Sequence, residues 1–102
     1  MANAKRIIKT SEVLFEQLRE LMTVEHGFKT VVIDSITALN IMFENEVVEF
    51  DDKGASNIGE AQGGYNKGYL IVAGIHAKLR AACEHLRKRG ISVVFLAHTG
   101  IV

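Results

Sequence analysis

Apolar residues fall along this chain with two different periods. Leu14, Leu18 and Leu21 recur at helical spacing, with Glu12, Glu16, Arg19 and Glu20 on the other faces. Thr10 or Ser11 can cap that helix and Gly27 is placed to end it. The run Thr30-Val31-Val32-Ile33-Asp34-Ser35 changes the period: three consecutive β-branched apolar residues predict a strand covered on both faces, stopped by a carboxylate. Ile36, Leu39 and Phe43 then predict a short helix over 35–44. Residues 69–89 restore a long helical stripe of Tyr69, Val72, His76, Leu79, Cys83 and Leu86. Arg87, Lys88 and Arg89 complement the end of its dipole, and Gly90 is its stop. Residues 91–97 form a second apolar run, ending at His98-Thr99, and Ile7 and Ile8 suggest a short strand over 5–9.

The expected order is strand, helix, strand, short helix, long connection, long helix, strand. Strands alternating with helices predict an α/β fold, a small parallel sheet with flanking helices, whose two apolar strands end on the same edge. Ligands bind at that edge in open α/β sheets. Asp34 and His98 are therefore expected to share it. Between the two helices, residues 45–68 hold Glu46, Glu49, Asp51 and Asp52, then Gly54, Gly59, Gly63, Gly64 and Gly68, with no regular period. A connection of that length is usually functional or disordered.

Composition narrows this picture mainly by exclusion. At 102 residues the chain is one domain at most. Its twelve basic and twelve acidic side chains cancel, so nothing draws it as a whole toward nucleic acid or an anionic membrane. No apolar run is long enough to span a bilayer and no signal-peptide pattern opens the sequence, so a cytoplasmic address is expected. Cys83 is the single cysteine, which leaves no internal disulfide or cysteine-rich zinc site, and it reads as core filler.

The chemistry concentrates at the expected strand ends. A carboxylate ending a buried strand suits Mg²⁺, which takes oxygen ligands and often only one or two carboxylates beside waters and phosphates. Asp34 can equally be a helix cap, and the two readings stand side by side. Ser35 can orient a water or hold Asp34. His98 can meet a phosphate, move a proton or hydrogen-bond a neighbouring strand end. His76, on the apolar stripe, reads as a hydrogen-bonded core histidine, while His26 and His85 read as exposed. A serine hydrolase is excluded by the lack of a G-x-S-x-G elbow. A phospho-receiver is excluded by the lack of acids around Ile7 and Ile8. Nothing matches G-x-x-x-x-G-K-[ST]; Gly63-Gly64-Tyr65-Asn66-Lys67-Gly68 follows no strand and has the wrong spacing.

Taken together, residues 30–39, the glycine-bearing connection, the long helix and Val93-Val94-Phe95-Leu96-Ala97-His98 resemble the RecA-like branch of P-loop ATPases, in its phage-type form. The resemblance spans nearly the whole chain and implies a single partial RecA-like domain over 1–102. It implies that Asp34 is the Walker B acid, holding the Mg²⁺ of ATP through water with Ser35 beside it. His98 then falls at the polar sensor position, and residues 45–68 at a loop that faces single-stranded DNA in the recombinases. The Walker A loop and the usual catalytic glutamate would lie before Met1, and further strands after Val102. The resemblance also implies a P-loop strand between the two strands seen here, which then either pair directly or leave a gap for a complementing chain.

The expected function is that of part of an ATP-binding protein linked to DNA recombination or replication, with no appreciable ATPase from these 102 residues alone. Single-stranded DNA is expected as a partner only of the complete protein. Lys53 and Lys67 are outnumbered in the loop by Glu46, Glu49, Asp51, Asp52 and Glu60, whereas phosphate contact needs cations. Tyr65 and Tyr69 can stack on bases, though Tyr69 also fits an anchoring role on the helical stripe. The alternative is a non-catalytic α/β module that associates with itself or a partner through exposed sheet edges and the glycine-rich loop.

Overall fold

The computed structural model describes residues 5–49 and 67–98. Three helices and two strands follow one another as α1 (Ser11–Thr23), β1 (Thr30–Asp34), α2 (Ile36–Glu49), α3 (Lys67–Lys88) and β2 (Ser92–Leu96). The fold is α/β. Helix α1 begins where a hydroxyl is available: Thr10 is extended, and its side chain accepts from the Val13 backbone N–H. A second donor of the same helix end, the Ser11 N–H, goes to Glu46 Oε1 on α2 at 3.0 Å. Among the described residues, Glu46 Oε2 is buried without a hydrogen-bond partner.

Gly27 does not end α1. The helix stops at Val24, which turns to extended backbone while its N–H bonds the Glu20 carbonyl. The stop is consolidated by His26, whose Nδ1 accepts from the Phe28 N–H at 3.1 Å, leaving Nε2–H to donate to the Leu21 carbonyl at 2.8 Å. His26 is thus half-buried and structural rather than exposed.

Strands β1 and β2 pair in parallel over five positions, from Thr30 opposite Ser92 to Asp34 opposite Leu96. Of the two arrangements left open for these strands, direct pairing is the one adopted. Residues 5–9 are not a strand; Ile7 is 75% exposed, and the described sheet has two strands.

The helices cover one face of this sheet. Ile33 is buried there, with Val31 and Val93 packed against the same core as Leu14, Leu18, Leu39, Phe43, Leu79 and Leu86. Alternation along a strand sends Val32, Val94 and Leu96 to the opposite face, where they are 55%, 42% and 42% exposed. The expectation of a strand covered on both faces therefore fails on one side.

Helix α2 runs five residues beyond the expected end near Glu44, because Val47 continues the buried stripe of Leu39 and Phe43. Residues 45–49 and 67–68, expected in the glycine-rich connection, are thus helical. The rest of that connection, 50–66, lies outside the described residues, as does Thr99. On α3, Val72, Leu79 and Leu86 are buried, whereas Tyr69, expected on the same stripe, is 46% exposed. Gly90 ends this helix as expected. Its φ is +82°, its N–H bonds the Arg87 carbonyl, and the Ile91 N–H reaches back to Leu86, with both Ile91 and Leu86 buried. That is a Schellman ending, in which a left-handed glycine and an apolar contact close the helix together.

Candidate functional site

The end of β1 passes straight into α2, and the way the helix is capped decides what Asp34 is free to do. Ser35 supplies the cap: its Oγ accepts from the Ala38 N–H at 3.1 Å and its carbonyl accepts from Leu39. Ser35 is 6% exposed, the one buried polar residue of the described chain. The Asp34–Ser35 peptide bond is cis. With the cap supplied by Ser35, the Asp34 carboxylate faces solvent at the sheet edge.

The parallel register brings His98 to the same edge. The imidazole Nε2 lies 2.8 Å from Asp34 Oδ1, with the two side chains 66% and 59% exposed. A carboxylate can only accept, so Nε2 carries the proton in this contact. The backbone of His98 is held by Thr37 in the first turn of α2: Thr37 Oγ1 accepts from the His98 N–H at 3.1 Å and donates to the His98 carbonyl at 3.4 Å. Asp34, Ser35 and His98 thus stand together, Ser35 beneath and the other two at the surface. Thr37 joins them without any signal in the sequence, since a threonine in the first turn of a helix is ordinary.

A second histidine sits deeper between the helices. His76 Nε2–H donates to Asn40 Oδ1 at 2.9 Å and its ring meets Phe43 edge-on, with centroids 5.0 Å apart, as expected of a core histidine. Helix α1 closes on α3 from the other side, where Lys78 Nζ lies 4.5 Å above the Phe15 ring. His85 is exposed, as expected. Cys83 is half-buried against the core, and that burial pushes its thiol pKa up, away from a reactive thiolate.

The site fits one part of a nucleotide–metal complex and not the other. A single exposed carboxylate at a strand end suits outer-sphere contact with hydrated Mg²⁺, which keeps several waters and asks little of the protein. Among the described residues no three His, Cys, Asp or Glu side chains gather to bind a metal directly. Nor does any glycine-rich turn among them join a strand end to a helix, so they form no triphosphate cradle. No described helix is long and apolar enough to cross a membrane.

No curated protein and no solved structure matches this chain. A family model described as AAA domain matches residues 1–101. Domains of this kind use ATP and Mg²⁺ in general. The chain belongs to the AAA domain family, a group of ATPase-like domains.

Proposed function

We propose that this chain is part of a RecA-like ATPase of phage type acting in DNA recombination or replication. In that reading Asp34 is the acid that holds the Mg²⁺ of ATP through its water shell. Ser35 fixes the turn that presents Asp34, and His98 is the polar residue that senses the nucleotide from the neighbouring strand. The observation that carries the reading is the 2.8 Å contact between His98 Nε2 and Asp34 Oδ1 across two parallel strand ends. Single-stranded DNA is the macromolecular partner it implies.

The test uses the full-length gene product. Asp34→Asn keeps the size of the side chain and removes its charge. It should lower Mg²⁺-dependent ATP hydrolysis about 10- to 100-fold, the range for losing a partner that holds a metal's outer shell. Nucleotide binding without Mg²⁺ should change little. Hydrolysis that survives Asp34→Asn at the wild-type rate removes Asp34 from the site.

A second reading is supported by the uncovered sheet face bearing Val32, Val94 and Leu96. There the chain is a non-catalytic module that self-associates through its sheet. Size-exclusion chromatography with light scattering separates the two, because this reading requires a dimer or larger species that Val94→Thr dissociates.

A further inference from the structure

Beyond Leu96 the β2 backbone loses its ladder. Its last partner is Asp34, and β1 then turns away at Ser35 to become α2, so among the described residues no strand backbone continues alongside Ala97 and His98. Backbone polar groups in this position need other partners to replace the missing ladder bonds. One side chain does so. Thr37 Oγ1 accepts from the His98 N–H and donates to the His98 carbonyl, at 3.1 and 3.4 Å, and no backbone–backbone bond ties His98 among the described residues. A single hydroxyl thus serves both polar groups of a residue 61 positions away.

We propose that Thr37 is a positioning residue: its hydroxyl clamps the backbone of His98 and thereby sets the imidazole on Asp34. The side chain reaches neither a reacting atom nor a metal; it acts through His98. Thr37 is exposed, so its methyl group has no core to fill, and the hydroxyl is the part that matters. The functional weight of this clamp rests on the reading of Asp34 and His98 as the nucleotide-site pair, but the clamp itself is a property of the chain and is testable without nucleotide.

The experiment follows the His98 ring by long-range ¹H–¹⁵N correlation, which reads which ring nitrogen carries the proton. In the wild type His98 should show an Nε2-protonated fraction above that of free histidine, which already favours this tautomer, because Asp34 holds it. Thr37→Val keeps the branched shape and removes the hydroxyl, and it should lose that signature in favour of the tautomer mixture of a free histidine. Thr37→Ser restores a hydroxyl and should recover it. The thermal midpoint should stay that of the wild type in both variants, as expected for an exposed position outside the core.

A His98 ring unchanged in Thr37→Val overturns the proposal. So does a Thr37→Ser ring as free as that of Thr37→Val, or a Thr37→Val chain that unfolds, because either makes Thr37 a packing residue. Asp34→Asn in the full-length protein separates this from the functional reading. If that variant hydrolyses ATP normally while Thr37→Val frees the ring, the clamp stands and the nucleotide role of the pair falls. If Asp34→Asn abolishes hydrolysis while Thr37→Val leaves the ring in place, the clamp alone falls.

Discussion

The two faces of the β1–β2 sheet are built from the same residue types and differ in how they are covered, although Phe95, which alternation places on the helical face, is 40% exposed. On the helical face, Ile33, Val31 and Val93 meet a core whose centre holds Phe43, Leu79 and Leu86, all essentially inaccessible. On the other face, Val32, Val94 and Leu96 are about half exposed. Hydrophobicity alone does not decide which face is sealed; the placement of the helices does. Folding energy is therefore expected to be concentrated on one side of the sheet, and the strand-end chemistry sits on the boundary between a dry side and a wet one.

Four substitutions or measurements put that contrast at risk. Phe43→Ala empties the centre of the sealed side and should cost about 3–5 kcal/mol, measured by chemical denaturation. A much smaller loss would mean that the helices are loosely packed. Gly90→Ala comes next. A Cβ at Gly90 meets nothing within 4 Å, so the whole effect is the strain of a left-handed residue at φ +82°, about 1–2 kcal/mol.

Val94→Thr, on the open side, should change stability by no more than about 0.5 kcal/mol in the isolated monomer. A loss comparable to that of Phe43→Ala would show that something covers this face in solution. The smallest effect concerns Cys83, whose burial raises its pKa in the folded state. The associated stabilisation should be complete below the ordinary thiol pKa and fade as pH rises through the folded value. Alkylation of Cys83 should accordingly be slower than that of an unfolded thiol at the same pH, and become equal in denaturant.

The sequence made the helices legible through their period and the strands through their β-branched runs, because both signals are local. Asp34 and His98 were placed on one edge by topology alone, since two parallel strands must end on the same side. What was not legible depends on contacts between distant segments. The end of α2 is not legible because Glu44, Asn45 and Glu46 look like a loop, and only the packing of Val47 into the core extends the helix past them. Glu46 bonds the first N–H of α1 from 35 residues away, and no spacing rule announces that. His26 replaced Gly27 as the helix stop because a side chain can satisfy a helix carbonyl as well as a left-handed glycine can redirect the chain. Thr37 is the same kind of omission. Its partner is defined only once β2 has docked beside β1.

The Schellman ending at Gly90 also acts as an index mark for β2. Strand side chains alternate, so β2 has only two phases, and the one it adopts is counted from the residue where α3 stops. Ile91 is tied back to Leu86, and Ser92 is bonded to the Lys29 carbonyl at 2.9 Å, which leaves no slack between the mark and the first rung. One residue inserted after Gly90 would turn Val94 toward the helices and Val93 toward solvent. It would also carry His98 about 3.3 Å along the strand direction, out of step with Asp34. The length of α3 and the pairing at the sheet edge are therefore one variable, and indels between them should be tolerated only in steps that restore the phase.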